Sequence, residues 1–130
     1  TGGYYINNSD SRIKKDISII NDTKALDKVK QLETREYNYI DPLRSRENKT
    51  IGFIAQEVES VSSDLVYKDS GLCKIDSDDN PIHDIHNYEG DAEYAKSVQT
   101  SGIIPILVEA MKEQQIIIDD LKSRIETLEG

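Results

Sequence analysis

A serine and a lysine lie five positions apart near the start of the chain, within the sequence NNSDSRIKKDI of residues 7–17. A serine hydroxyl becomes an effective nucleophile when an adjacent base takes its proton, and a lysine amine is one such base. Ser9 and Lys14 therefore form a candidate nucleophile and base. Residues five apart on a continuous helix point about 140° away from each other. A working pair consequently requires Ser9 to precede the helix, with Lys14 reaching back or coming from a neighbouring subunit.

The same residues have an ordinary structural interpretation. Ser9, Asp10 and Ser11 are all favourable helix N-caps, and they predict a short helical turn over residues 12–15. In this alternative Ser9 caps the turn, and Lys14 is one more solvated surface lysine. A lysine base must also lose its proton, which the reference pKa of ~10.4 for this side chain opposes near neutral pH. Catalysis would therefore require a Lys14 that is shielded from water or lies near other cations.

The composition limits both the core and the partners. Only 36% of the 130 residues are hydrophobic, with one Phe and no Trp, which predicts a small globular unit joined to an extended element. The net charge of -9, from 25 acidic and 16 basic residues, argues against binding the phosphates of a nucleic acid. The apolar runs are far shorter than the roughly 20 residues of a membrane span, so we expect no membrane contact by this segment.

The acidic sequence DSDDN at residues 76–80 imitates a calcium-binding loop. It departs from that pattern at two required positions, because Pro81 replaces the glycine and Asn87 replaces the closing glutamate. His83 and His86 could meet a metal from one helical turn, but Pro81 and the surrounding turn-forming residues argue against a helix there. We therefore expect no metal and no cofactor. An acidic ligand- or metal-binding module centred on this sequence is kept as an alternative.

Hydrophobic periodicity predicts short elements followed by an arm. The expected elements are a strand over residues 4–6, extended chain over 17–20, a helix from 22 or 23 to about 32, paired strands over 35–40 and 50–54, and a helix over 54–65. Between residues 67 and 98 the periodicity disappears, which predicts a long loop or arm that contacts another part of the assembly. The fold class that follows is α+β and mainly helical, with small β-hairpins.

The end of the chain carries a heptad repeat over residues 102–130, which predicts an oligomerisation helix. The residues at its a and d positions are Ile104, Leu107, Met111, Gln114, Ile118, Leu121, Ile125 and Leu128. Isoleucine at a and leucine at d favour two strands, whereas Gln114, Val108 and Ile117 leave three strands open. Pro105 is expected in the first turn, where a missing N–H costs nothing. The alternative is a helix packed on its own domain.

Four sequence blocks occur in order and resemble one known family. They are SDSRIKKDI at residues 9–17, YNYID at 37–41, IGFIAQEVESV at 51–61 and GIIPILVEAMKEQQ at 102–115. Together they resemble the C-terminal intramolecular chaperone and self-processing domain of phage tail spikes and fibres, known from endosialidases. The same domain occurs in the myelin regulatory factor family of membrane-tethered transcription factors. The resemblance extends from Ser9 to Glu129.

This resemblance implies an activity and assigns residues to it. Domains of the family trimerise, guide folding of an upstream β-rich stalk, and then cut themselves off with a Ser-Lys dyad. Carried onto this sequence, the nucleophile is Ser9, the base is Lys14 and the cleaved bond joins Asn8 to Ser9. Asp10 and Arg12 match the other recurrent positions of the first block. The implied partners are two further copies of the chain and its own stalk.

The resemblance also implies a domain organisation and a location. Residues 1–8 would be the end of the stalk, 9–101 the chaperone and self-processing domain, and 102–130 the helix of a trimeric coiled coil. The expected location is the virion, in a tail fibre or spike, after folding in the host cytoplasm. The alternative location is an intracellular membrane, to which a parent transcription factor would tether the domain. A non-catalytic trimerisation anchor, in which Lys14 has no role, is the main functional alternative.

Overall fold

The computed structural model describes residues 8–20, 24–41, 44–68 and 73–130. Its elements are a 3₁₀ turn (Ser11–Ile13), α1 (Ala25–Gln31), β1 (Arg35–Tyr37), β2 (Thr50–Gly52), α2 (Ala55–Val61), a second 3₁₀ turn (Ser63–Leu65), β3 (Val66–Tyr67), β4 (Lys74–Asp76), β5 (Pro81–Ile82), β6 (Ala92–Tyr94), β7 (Ser97–Val98) and α3 (Thr100–Glu129). The predicted α+β class is confirmed. The strand expected at residues 4–6, and the expected start of the first helix at residue 22 or 23, lie outside the described residues.

Strands β1 and β2 pair antiparallel, with Arg35 opposite Gly52 and Tyr37 opposite Thr50. This confirms the predicted pairing, although both strands are shorter than expected. The rings of Tyr37 and Tyr39 meet edge to face at 5.5 Å, so they share one side as their spacing predicted. Such contacts favour aromatic pairs beyond the apolar area that they bury.

The core lies where α2, β3 and α3 meet. Its buried members are Val58, Leu65, Val66 and Ile103, and Leu32, Phe53, Ala55, Val98 and Ile106 pack around them. Helix α1 lies against α3, and the one buried residue of α1 is Ala25. This is a small core, as the low hydrophobic content predicted.

Helix α3 begins two residues before the predicted start, at Thr100. Pro105 therefore lies inside the helix, and the prediction that it occupies the first turn is wrong. Pro105 has no N–H to donate to the carbonyl of Ser101, which is exposed and can bind water instead. Among the described residues, no helix combines the length and the apolar character that crossing a membrane requires.

The arm is not a long irregular loop, and that prediction is corrected by the structure. Strands β5, β4 and β6 form a three-stranded antiparallel sheet in that order. The acidic sequence forms the β4–β5 turn, where one Asp76 carboxylate oxygen accepts from the backbone N–H groups of Asp78 and Asn80, each at 2.9 Å. Asp79 has a φ of 63°, a left-handed conformation that Asp tolerates. The strands escaped prediction because two or three residues are too few to show alternation.

Both ends of the arm are held against α2. Strand β3 leads into the arm and pairs with β7, with Val66 opposite Val98. Glu59 of α2 accepts a hydrogen bond from Lys96 at 2.7 Å, and its second oxygen lies 3.4 Å from Lys68 Nζ. One carboxylate therefore contacts the residue that enters the arm and the residue that leaves it.

Replacing Glu59 with glutamine is expected to loosen the base of the arm. Lys96 and Lys68 hold the pKa of Glu59 below its ordinary value of 4.5, with the Lys96 hydrogen bond as the largest cause. A lowered carboxyl pKa contributes stability above pH 4.5, and that stability is lost as the pH falls from there through the lowered value. Hydrogen exchange should therefore be faster in β3 and β7 of Glu59→Gln at pH 7. The difference from wild type should disappear in strong acid.

Glu36→Gln is the matched control for that experiment, because Glu36 is an exposed carboxylate on β1. Its exchange in β3 and β7 should equal that of the wild type. Equal exchange in Glu59→Gln and Glu36→Gln would show that the ion pairs do not hold the arm.

Candidate functional site

A capped 3₁₀ turn organises the start of the described chain. Asp10 adopts an extended conformation, and its Oδ1 accepts a hydrogen bond from the backbone N–H of Arg12 at 2.9 Å. The turn closes through N–H groups of Ile13 and Lys14, which donate to the carbonyls of Asp10 (3.1 Å) and Ser11 (3.2 Å). Asp10 is therefore the N-cap of this turn. The alternative in which Ser9 caps the turn is wrong.

The turn brings Ser9 and Lys14 together. Lys14 Nζ donates a hydrogen bond to Ser9 Oγ at 2.5 Å within one chain. Ser9 precedes the turn, and Lys14 follows it in an extended conformation with φ -119° and ψ 152°. The geometric condition set by the five-residue spacing is met because the intervening turn is short and not part of a continuous helix.

The bond between Asn8 and Ser9 borders an open cleft of ≈ 440 Å³. The cleft is lined by Asn8, Ser9, Asp10, Arg12 and Ile13. Ser9 and the residue that precedes it are both exposed to solvent. Water, which a hydrolytic step consumes, has access to the same place.

The segment of residues 8–20, which contains Ser9 and Lys14, is not buried by the rest of the described chain. Every residue from 8 to 20 is exposed. The apolar members of this segment are Ile13, Ile17, Ile19 and Ile20, which are between 52% and 93% exposed. A run of uncovered isoleucines is typical of a surface that another chain buries.

The chain turns again directly after the dyad. Asp16 has a φ of 55°, in the left-handed region that L-residues other than Asn and Asp avoid. This turn was not predicted from the sequence, although an aspartate next to two lysines offers a weak signal for it. It redirects the backbone after Lys14, before the isoleucine-rich segment of residues 17–20.

Two faces of α3 are used differently. Ile103 and Ala110, seven residues apart, are buried against the body at 2% and 3% exposure. The apolar residues at the predicted a and d positions are all at least 40% exposed, and every residue from 114 to 130 is exposed. The helix therefore packs on its own domain through a different face, and the heptad face is uncovered in the single chain.

Within the described residues, no group of three or more His, Cys, Asp and Glu side chains is arranged to hold a metal ion. His83 Nε2 lies 3.8 Å from a carboxylate oxygen of Asp41, which belongs to the connection between β1 and β2. This contact joins one histidine to one carboxylate. The acidic turn at Asp76 uses its carboxylate on its own backbone. Two of the residues considered for metal binding, Asp76 and His83, thus have partners within the chain.

Contacts between distant parts of the chain were missed by the sequence reasoning. Arg35 of β1 donates two hydrogen bonds to Glu57 of α2, at 3.1 Å and 2.7 Å. This pair lowers the pKa of the Glu57 carboxyl, mainly through the Arg35 hydrogen bonds. It fixes the hairpin on α2, and no local pattern relates residues 22 positions apart.

Comparison with known proteins bears on the same segment. The model of the peptidase S74 family, described as chaperone of endosialidase, matches residues 9–67, slightly less than half of the chain. This region begins at Ser9 and contains the Ser9–Lys14 pair, the β1–β2 hairpin, α2 and β3. A search of curated protein sequences found no significant match.

A solved structure described as a novel intramolecular chaperon has the same fold. The superposition covers 82% of this chain and 98% of that chain, with a TM-score of 0.53 and 22% sequence identity. The likeness therefore reaches beyond the segment that the family model matches. Over residues 9–67 the chain is thus similar to the endosialidase chaperone family, and over most of its length it shares its fold with a solved intramolecular chaperon.

Proposed function

We propose that this domain trimerises, guides the folding of a β-rich stalk upstream, and then releases itself by one cut between Asn8 and Ser9. Ser9 is the nucleophile and Lys14 is the base. The observation that carries the catalytic part is the 2.5 Å contact between Lys14 Nζ and Ser9 Oγ. It lies in the segment matched by the peptidase S74 family.

The position of Ser9 determines the chemistry of the cut. Ser9 Oγ attacks the carbonyl carbon of Asn8 through a five-membered ring, and Lys14 takes the hydroxyl proton. The C–N bond then breaks, the Ser9 nitrogen receives a proton and leaves as an amine, and an ester joins Asn8 to Ser9 Oγ. Water hydrolyses the ester, which yields the Asn8 carboxylate and restores the Ser9 hydroxyl. The reaction runs once, because it consumes the amide that precedes its own nucleophile.

Assembly supplies the condition that the base requires. Desolvation disfavours the charged form of a lysine, so neighbouring chains that cover the site would favour a neutral amine. Every residue from 8 to 20 is exposed in the single chain, and four isoleucines in this segment have no cover. The other two copies of the chain bury this segment. The cut therefore follows assembly and does not precede it.

The heptad helix supports a homotrimer. Apart from the polar Gln114, the a and d side chains of α3 form an apolar stripe that the body does not cover. Gln114 within this stripe and the exposed Val108 and Ile117 beside it widen the contact face in favour of three strands. Because α3 aligns three chains before the stalk folds, it reduces the cost of bringing distant β segments into register.

The cut gives the folded stalk kinetic persistence. Once the aligning domain has left, the three stalk chains cannot readily return along the route by which they folded. Such a stalk suits a tail fibre or spike of a virion, which is the location that we propose. The alternative is a parent protein tethered to an intracellular membrane.

The chaperone role is tested by expressing the upstream native sequence with and without residues 9–130. The Ser9→Ala parent, which cannot cut itself, is the third sample. Trimeric soluble stalk is expected from the wild type and from Ser9→Ala, and aggregated or monomeric stalk from the truncated chain. Equal yields of trimeric stalk from all three would refute the folding role.

A further inference from the structure

The carboxylate of Asp10 is bound three times by one residue. Arg12 donates to it from its backbone N–H (2.9 Å), from Nε to Oδ1 (3.0 Å) and from Nη2 to Oδ2 (2.8 Å). The last two bonds form a two-pronged contact between the planar guanidinium and the carboxylate. Asp10 and Arg12 therefore close a small ring around the first residues of the 3₁₀ turn.

This ring lies between the two members of the dyad. Ser9 is bonded directly to Asp10, and Lys14 is attached to the turn through its N–H, which donates to Ser11. A change in the turn would thus move the Lys14 backbone relative to Ser9. The distance between Nζ and Oγ depends on that turn, because no other described contact holds either side chain.

The ion pair is poorly placed to stabilise the fold. The side chains of Arg12 and Asp10 are 87% and 46% exposed, and exposed pairs contribute little to global stability because water screens them. Neither residue belongs to the core cluster. The effect of the pair must therefore be local, on the turn that carries the dyad.

We propose that Asp10 and Arg12 are positioning residues, which clamp the 3₁₀ turn so that the Lys14 amine reaches Ser9 Oγ. This inference rests on the proposed self-cleavage. Neither residue touches a reacting atom in the assigned roles. Reaction rates are sensitive to such positioning, since a displacement of about 1 Å can slow a reaction by ~100-fold.

The clamp keeps its charges over a wide pH range. The side-chain and backbone hydrogen bonds of Arg12 hold the pKa of Asp10 below its ordinary value of 3.8. A lowered carboxyl pKa means that the contact is complete above pH 3.8 and is lost only as the pH falls through the lowered value. The clamp should therefore set the rate of cleavage without setting its pH dependence near neutrality.

The test uses the parent protein with its native upstream sequence and measures the single-turnover cleavage rate against pH. The variants are Arg12→Ala, Arg12→Lys, Asp10→Ala, Asp10→Asn and the double Asp10→Ala/Arg12→Ala. We expect Arg12→Ala and Asp10→Ala to cut ~10- to 100-fold more slowly at every pH, with an unchanged half-maximal pH. Asp10→Asn keeps the acceptor for the Arg12 N–H, so it should be slowed less than Asp10→Ala. The double variant should be no slower than the worse single one, since both changes break one contact.

Two further measurements separate positioning from folding. Sedimentation should show the same trimer for all variants, and hydrogen exchange at the Ile13 and Lys14 amides should be faster in the clamp variants on a Ser9→Ala background. Lys112→Ala removes an exposed ion pair with Glu109 on α3 and is the matched control, which should cut at the wild-type rate. If Arg12→Ala and Asp10→Ala assemble and cut at the wild-type rate, the positioning role of Asp10 and Arg12 is refuted, but the proposed self-cleavage is not. A wild type that is never cut would overturn both the clamp and the proposed self-cleavage.

Discussion

Replacing Lys14 with arginine is expected to stop the cut before Ser9 while leaving the trimer assembled. Arginine keeps the positive charge and much of the length, but its pKa above about 12 denies it a neutral form that could accept the serine proton. Removing a general base typically slows a reaction by roughly 100- to 10,000-fold. Ser9→Ala and Lys14→Ala should be equally inactive. Gel analysis of the parent protein over time, with sedimentation of the same samples, measures both properties.

The chain contains its own controls for this experiment. Lys15 directly follows Lys14, and Ser11 lies two positions after Ser9, so Lys15→Arg and Ser11→Ala make the same chemical changes at neighbouring sites. Both should be cut at nearly the wild-type rate. If Lys14→Arg is cut as fast as Lys15→Arg, lysine is not the base and the dyad assignment is wrong.

A capping role for Ser9 predicts a different pattern. Loss of an N-cap costs about 1 kcal/mol of stability, and Lys14→Arg would then be nearly silent. The structure gives the cap to Asp10, whose Oδ1 accepts from the backbone of Arg12. Ser9→Ala should therefore leave the melting temperature almost unchanged.

Placing aspartate at position 118 is expected to dissociate the trimer. Ile118 occupies an a position and is 47% exposed in the single chain, so assembly would bury it. A buried charge without a partner costs about 3–5 kcal/mol, and each trimer would contain three of them. Sedimentation equilibrium should show monomers for Ile118→Asp at concentrations where the wild type is trimeric. Cleavage should be lost as well, because the dyad would no longer be covered.

Ile116 provides the matched control on the same helix. It is 69% exposed but lies outside the a and d positions, so Ile116→Asp should leave both the trimer and the cut intact. A wild type that is monomeric at all concentrations would contradict the trimer, and a dimer would correct its stoichiometry. An Ile118→Asp monomer that still cuts would show that cleavage does not depend on assembly.

The elements that were predictable from the sequence have long or strongly patterned signals. The heptad repeat extends over more than three heptads, and helix α3 covers the residues that carry the repeat. The β1–β2 pairing followed from two short alternating runs with a polar connection. The boundaries were predicted less well, since α3 starts at Thr100 and therefore includes Pro105 within the helix.

The strands of the arm and the Asp10–Arg12 contact could not be predicted from local sequence patterns. Strands β5 and β7 have two residues each, so no period of two could reveal them. The contact of Glu59 with Lys96 spans 37 positions and depends on how the arm folds back. The sequence supplied three candidate caps in a row, and only the three-dimensional turn selects Asp10.

For the proposed dyad, the sequence indicated the two candidate residues but not their geometry. A spacing of five is unfavourable on a helix, and the contact between Ser9 and Lys14 arises because a single 3₁₀ turn separates the extended residues Asp10 and Lys14. That outcome depends on where the turn stops, which is the least predictable property of a short element. The same limit applies to Asp16, whose left-handed conformation follows the dyad.

Intact mass spectrometry of the freshly purified wild-type protein, expressed with its native upstream sequence, tests the central claim most directly. The unfractionated protein should contain two chains of equal amount, one ending at Asn8 and one beginning at Ser9, and the Ser9→Ala parent should give a single uncut mass. An uncut wild-type chain in a fully assembled trimer, or a cut at any other bond, would contradict the account.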